Sequence, residues 1–270
     1  RMPFAPLADM HTHTDSSPDS KAPIVSMCEA ALRLGLPALA VTDHVEMTSF
    51  LADGYDKSSE RSYRQTLEMR ERYAGRLEIL TGVELGEPMF DRERSARLLR
   101  GHPYDFVLGS LHNLEDGVDY FHYDYASADI GAVLDIYFRA ELELVEMGGF
   151  QSLAHLTYPM RYMPEYKRPA DTRRWQDVID TLFRRMAEQG IALEINTSGL
   201  RQAIGQTSPD LPLIRRFREL GGENITIGSD AHRPEDVGAG LETAAALALE
   251  AGFRDICQFR EGKPVHIRIG

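Results

Sequence analysis

Along the chain, short apolar runs bounded by turn residues alternate with longer stretches in which apolar positions recur every three or four residues. The short runs cover residues 7–10, 37–42, 77–83, 106–110, 152–154, 191–195 and 225–229, with a last run at 265–269, and read as strands. Between them, helical periodicity covers 23–35, 58–75, 92–100, 127–147, 172–189, 208–220 and 238–251. The clearest helix carries a stripe of Ile130, Val133, Leu134, Ile136, Tyr137, Leu142, Leu144 and Val145,. Several helices stop at glycine, at Gly35, Gly148–Gly149, Gly190 and Gly221–Gly222, where a left-handed cap costs least,. This βαβα alternation predicts a parallel α/β sheet, either doubly wound or closed into a barrel. With neither an internal repeat nor a low-complexity linker, one domain over residues 1–270 is the simplest organisation, and the length suits a barrel of about 250 residues,.

Composition narrows the partners. The formal charge of −12 would repel a phosphate backbone, and no basic run offsets it, so nucleic acid is not an expected partner,. Cys28 and Cys257 are the only cysteines, stand far apart in helix-like contexts and are expected as buried thiols in a reducing compartment,. No apolar stretch reaches about 18 residues, and no basic segment followed by an apolar run opens the chain. A cytoplasmic protein without a membrane partner is the expectation.

The histidines supply the chemistry. Of nine, six fall at or just past the C-terminal ends of strands: His11, His13, His44, His112, His155 and His232. Glu84 and Asp230 stand at the same level on two strands, and Asp19 follows in the first loop. In a parallel barrel all strand C-termini meet at one rim, so ligands more than 200 residues apart can converge on one polynuclear metal site,. A lone histidine at a strand end is usually a hydrogen-bonded structural residue. His11 and His13, two apart on a strand, point to one face and can chelate one ion, and Asp230 and His232 repeat that spacing. Imidazoles alternating with carboxylates suit Zn, Mn or Fe, whereas thiolate ligation is not expected with both cysteines off the rim. Asp43 and Asp15 are candidates for orienting ligands or managing protons, with helix capping as the alternative. His102 and His266 have no rim placement. Trp175 reads as core, and His122 belongs to an aromatic loop, 120–125, expected to pack on the barrel, with reach into the pocket as the alternative.

At these residues the sequence resembles the polymerase and histidinol phosphatase superfamily of metal-dependent phosphoesterases. The matching stretches are His11-Thr12-His13-Thr14 through Asp19, Thr42-Asp43-His44, Gly82-Val83-Glu84, Gly109-Ser110-Leu111-His112, Ala154-His155 and Gly228-Ser229-Asp230-Ala231-His232. The resemblance implies a distorted seven-stranded TIM-like (β/α)7 barrel holding three divalent metal ions (Zn, Mn or Fe). It assigns the first ion to His11, His13, Glu84 and Asp230, and the second to Glu84, His112 and His155, with Glu84 bridging them. The third ion falls to Asp19, His44 and His232. Within the superfamily, the stretches from His155 to Tyr162 and from Glu194 to Arg201 look like the histidinol-phosphate phosphatase branch. That implies hydrolysis of L-histidinol phosphate, as in histidine biosynthesis, by a hydroxide shared between two ions. Glu84 and Asp230 would be central to catalysis, and Arg161 and Arg201 would face the phosphate. Asn196 is left as a substrate contact or a structural strand-end group.

Three alternatives accompany this reading. Another small phosphomonoester, or a nucleotide diester, could be the substrate. The amidohydrolases also begin with His-x-His, but their two-metal form needs a bridging lysine on a middle strand, and none of Lys21, Lys57, Lys167 and Lys263 ends one. A non-catalytic metal-stabilised module would saturate each ion with protein ligands.

Overall fold

The computed structural model describes Phe4 and residues 6–270; the remainder of the unit expected over 1–270, residues 1–3 and 5, lies outside the described residues. Among the described residues, ten strands and seven α-helices follow in order. The barrel strands are β1 (Asp9–Thr12), β2 (Ala38–Val41), β3 (His44–Glu46), β4 (Glu78–Gly86), β5 (Phe106–Ser110), β6 (Ser152–Leu153), β7 (Ala192–Asn196) and β8 (Ile225–Gly228). β2 and β3 run along the same neighbour, β4, the first through Ala38–Val41 and the second through His44–Glu46, so they count as one interrupted strand. Seven strand positions therefore run parallel in the order β1-β2-β4-β5-β6-β7-β8. The ring is nearly closed by a bridge from Thr12 to Ala231 and by the Asp230 N–H donating to the His11 carbonyl at 2.8 Å. This is the expected (β/α)7 barrel.

The helices α1 (Ile24–Arg33), α2 (Tyr55–Arg72), α3 (Arg92–Gly101), α4 (Ile130–Met147), α5 (Gln176–Gln189), α6 (Leu211–Glu219) and α7 (Leu241–Glu250) each fall within a few residues of the periodic stretches. The closing strands are packed too tightly for side chains at every position. A Cβ on Gly228 would lie 2.4 Å from the His11 Cβ, so only glycine lets β8 approach β1 at the level of the site,.

Two elements differ from the sequence expectation. The strand expected over 37–42 ends at Val41, and after Thr42-Asp43 the chain resumes as β3, which the periodicity does not predict and which pairs His44 with Glu84. The last run is the second arm of an antiparallel hairpin, β9 (Asp255–Arg260) with β10 (Lys263–Arg268). Cys257 and Phe259 of that hairpin join a core cluster with Ala38, Ala40, Leu80, Phe106 and Leu108, while the N–H groups of Glu261 and Gly262 bond Asp105 at the start of β5. The hairpin thus plugs the N-terminal end of the barrel, opposite the rim that carries the histidines. Both cysteines are buried free thiols, and Trp175 is buried with its indole N–H donating to Asp135.

On α4 the stripe shifts. Ile136 is 46% exposed, while Glu141 takes a fully buried position between Tyr137 and Leu144. Neither carboxyl oxygen of Glu141 closes a hydrogen bond among the described residues. Burial pushes its pKa up to about 8, with the neighbouring Tyr137 hydroxyl and His112 only partly offsetting it. Because the folded chain holds this proton more tightly than the unfolded chain, stability falls as pH rises from the ordinary value of 4.5 through 8,. Glu141→Gln is expected to flatten that fall, leaving stability unchanged near pH 4 and raising it by about 2–4 kcal/mol at pH 8.5. Denaturant melts at the two pH values check it, and an equal effect at both would remove the proton linkage.

Candidate metal centre

Strand ends deliver the polar groups to one place. His11 lies on β1 and His13 just beyond it; Glu84 stands on β4 two residues before its end; His112, His155 and Asp230 each follow their strands by two residues. His155 (φ 25) and Asp230 (φ 57) occupy left-handed backbone that non-glycine residues rarely adopt,. Such strain concentrates where a side chain must be aimed at a site.

The first cluster is His11, His13, Glu84 and Asp230. His11 Nε2 lies 3.1 Å from His13 Nε2 and 3.1 Å from Glu84 Oε1, and Asp230 Oδ1 lies 3.1 Å from His13 Nε2. The partners on the far side of each ring fix the tautomers. His11 Nδ1 donates to Glu194 Oε2 at 2.6 Å, and His13 Nδ1 to Ser17 Oγ at 3.0 Å, since that hydroxyl spends its own proton on Asp43,. In the form that ligates a cation, each ring then presents an Nε2 lone pair to the cluster. Two nitrogen lone pairs and two carboxylate oxygens converge with no donor between them, a repulsive arrangement unless positive charge sits in the middle.

The second cluster repeats the arrangement. Glu84 Oε2 lies 2.9 Å from His155 Nε2 and 3.1 Å from His112 Nε2, and the two ring nitrogens are 3.0 Å apart. His112 Nδ1 donates to Glu46 Oε1 at 2.8 Å, turning its Nε2 lone pair inward. Glu84 therefore sends one oxygen into each cluster. A third group brings together His13, His44 and His232, with Asp19 Oδ2 at 3.4 Å from His44 Nε2 and 3.1 Å from His232 Nε2. His232 Nδ1 donates to the Asp230 carbonyl, so its Nε2 also faces the cluster.

These groups fit divalent cations. Ligand bonds of about 2.0–2.2 Å imply neighbouring ligand atoms roughly 2.8–3.6 Å apart, depending on coordination number. The separations in the first two clusters lie inside that interval. The electrostatics agree in sign. Burial disfavours charge on His11, yet Asp230, Glu194 and Glu84 outweigh it and hold its pKa well above 6.5. His44 and His112 are raised in the same way, burial being overcome by Glu84 and Asp19 at the one and by Glu46 and Glu84 at the other. His155 alone is lowered, by burial together with the charges of His112 and Arg161. Burial would lift Glu84, but His11, His112 and His44 keep it well below its usual range. The carboxylates of this rim demand cationic company.

The structure thus brings together all nine residues singled out as ligands. Asp43 orients His13 at one remove, through Ser17, and neither it nor Asp15 enters a cluster. Asp43 accepts from the Thr14 N–H and hydroxyl, Ser17 and Ser62, bracing the first loop instead of entering a cluster, and Asp15 pairs with Arg61 at 3.0 Å. Arg161 is 9% exposed and donates to Asn196 Oδ1 at 3.1 Å and Ser208 Oγ at 3.4 Å. Arg201 donates to the Ser229 carbonyl at 2.8 Å and lies 3.6 Å from Asp236. Both line a cavity of about 1020 Å³ that opens over the clusters. Asn196 is a structural bridge: its amide nitrogen donates to Glu194 and Asp230 while its oxygen accepts from Arg161 and Ser198. His102 and His266 stay away from the rim, whereas His122 lines the cavity.

Sequence reasoning missed two buried carboxylates. Glu194 holds His11 and accepts from the His155 N–H at 2.9 Å, tying two clusters together. Glu46 accepts from His112 and lies 3.2 Å from His44 Nδ1. Such groups behind metal-ligating imidazoles fix ring orientation and raise ligand basicity. A charged residue inside an apolar strand run was the available signal for Glu194.

Comparison with known proteins bears on the family and the fold. A family model described as PHP domain matches residues 9–198. The probable histidinol-phosphatase of Clostridium acetobutylicum is 27% identical over 92% of this chain and 95% of that protein. The histidinol-phosphatase of Lactococcus lactis is 25% identical over 93% of each. The crystal structure of histidinol phosphate phosphatase from Lactococcus lactis, complexed with Zn, L-histidinol and phosphate, superimposes with a TM-score of 0.85 at 22% identity, covering 96% of this chain and 98% of that one. The likeness to that structure is one of fold. Among the described residues no helix is long and apolar enough to cross a membrane.

Proposed function

The chain belongs to the PHP domain family, and from that premise we propose that residues 1–270 form one metal-dependent phosphomonoesterase unit that hydrolyses L-histidinol phosphate to L-histidinol and phosphate. The observation that carries the reading is the pair of buried imidazole–carboxylate clusters sharing Glu84 beneath a cavity lined by Arg161 and Arg201. Curated relatives of nearly full-length overlap bear the histidinol-phosphatase name, which supports this substrate.

Three cation sites follow from the three clusters: His11, His13, Glu84 and Asp230; Glu84, His112 and His155; Asp19, His44 and His232. Zn, Mn and Fe are the ions this nitrogen and oxygen donor set suits. Bound there, divalent cations supply an activated water at neutral pH and offset phosphate charge. The rest falls to the chain. Glu84 fixes the spacing of the first two sites, and Glu194 and Glu46 hold the imidazoles in the tautomers that expose Nε2. Arg161, with Nε and one Nη already held by Ser208 and Asn196, keeps N–H groups for phosphate oxygens, and its planar fork suits them,. Arg201 adds a second positive charge from the next loop.

The test is turnover of a phosphate-ester panel by protein loaded with Mn, Zn or Fe, with bound metal counted in parallel. L-histidinol phosphate is expected to exceed p-nitrophenyl phosphate in kcat/KM by at least about tenfold, and chelation is expected to abolish both activities. Full metal occupancy without any ester hydrolysis would favour a non-catalytic module instead.

A further inference from the structure

The cavity above the clusters is divided by charge. Arg161, Arg201 and Arg233 line the arc that follows β6, β7 and β8, while Glu46, Asp53 and Asp119 line the arc that follows β3 and β5. Most lining carboxylates already have positive or donor partners. Glu46 accepts from His112 and Asn113, Asp236 lies beside Arg201 and Arg233, and Asp19 beside His44 and His232. Among the described residues that leaves Asp53 and Asp119 without a cationic partner. Asp53 is exposed, whereas Asp119 is half-buried and fixed.

Asp119 Oδ1 accepts from the Tyr158 hydroxyl at 3.0 Å and from the Phe121 N–H at 2.7 Å. Its loop is tied to the second cluster, because the Tyr120 N–H donates to the His112 carbonyl at 2.9 Å. Beside it runs a continuous aromatic path. The Tyr158 ring lies 5.0 Å from His155 and 5.2 Å from Tyr162, which in turn lies 4.9 Å from the exposed Phe121. A second wall of this arc points the same way. Tyr55 is 4% exposed, and the part that it exposes lines the cavity. A Cβ on Gly117 would lie 3.9 Å from Thr48 Cβ, so the Asp119 loop packs on the segment leading to Tyr55. An anchored carboxylate without a counter-charge, a tyrosine wall and a path of rings thus border one space next to the cation clusters.

We propose that this arc is the leaving-group subsite, in which Asp119 pairs with a protonated amine on the departing alcohol while Tyr158 and Tyr162 together form one wall for its ring. The assignment rests on the phosphatase reading of the site and adds what selects the ester. A phosphate lying toward Arg161 and Arg201 leaves the alcohol portion directed across the cavity, toward the arc where negative charge is unanswered. A substrate with an anionic end and a cationic end is thereby oriented before reaction, whereas a neutral ester gains nothing from Asp119.

Asp119→Asn tests it. The amide keeps an oxygen for Tyr158 and Phe121, so the loop holds while the charge is removed; an unchanged melting temperature checks this. The ratio of kcat/KM for L-histidinol phosphate over p-nitrophenyl phosphate is expected to fall ~10- to 100-fold, chiefly through KM. The affinity for the product L-histidinol, measured by calorimetry, is expected to fall by a similar factor. An equal loss on both esters, or unchanged L-histidinol binding, overturns the subsite. The histidinol assignment fails separately: wild-type protein that prefers phosphoethanolamine to L-histidinol phosphate would overturn that substrate, and the subsite stands if Asp119→Asn removes the preference for amine-bearing esters. Wild-type protein with no preference for amine-bearing over neutral esters overturns both.

Discussion

Glu84→Gln is expected to lower kcat by of the order of 10⁴-fold and to leave the protein with fewer bound cations than the wild type. The argument lies in what the two carboxylate oxygens face. Oε1 lies within 3.3 Å of the Nε2 atoms of His11 and His13, and Oε2 within 3.1 Å of those of His112 and His155. A glutamine of the same shape offers one oxygen and one NH₂ group. Whichever cluster receives the NH₂ exchanges an oxygen for a donor where the proposed cation would sit, so one substitution would uncouple both proposed sites. Metal counting after dialysis, read beside turnover of L-histidinol phosphate, checks it. Full occupancy with activity within tenfold of wild type would show that Glu84 bridges nothing.

How much of this centre was legible in the sequence depended on whether the signal was local. His11 and His13 announce a chelate because residues two apart on a strand share a face. His44, His112, His155 and Asp230 were found because each sits at the end of a run that had already been read as a strand, and a parallel barrel brings all such ends to one rim. Glu194 carried only a charge inside an apolar run: its role exists through His11, 183 residues earlier, and periodicity alone reads that run as buried strand. Glu46 was hidden for a related reason. The break at Thr42-Asp43 ends the readable strand, and nothing local shows that the chain resumes pairing with β4 two residues later. The hairpin at the barrel's base was half seen, since the DICQFR stretch of β9 mixes polar and apolar residues without a clean period. On α4, the exposed Ile136 and buried Glu141 show the limit of stripe counting: the helix face that packs is set by its neighbours, and a carboxyl held neutral by burial can occupy a core position that composition assigns to an aliphatic residue,.

Arg161→Ala is expected to cut kcat/KM for L-histidinol phosphate by about 10²–10³-fold while the bound metal count stays at the wild-type level. Arg161 is buried against the first cluster without belonging to it: Nη1 lies 3.9 Å from Asp230 Oδ2, the guanidinium covers the Tyr158 ring at 5.5 Å, and Ser208 and Asn196 hold its other edge. That frame fixes the fork before any anion arrives, so little ordering cost remains when phosphate oxygens take the free N–H groups. Its removal leaves Asn196 anchored by Ser198 and Glu194, which is why the ligands themselves should keep their places. Arg161→Lys is expected to recover only part of the loss, because an ammonium restores charge without the two-pronged geometry. Arg201, more exposed and half engaged with Asp236, should cost less when truncated, by about tenfold,. Inorganic phosphate inhibition separates the roles: weaker inhibition in Arg161→Ala at full metal occupancy identifies an anion contact, whereas parallel loss of metal and activity would make Arg161 a support for Asp230 and leave the phosphate to the cations alone.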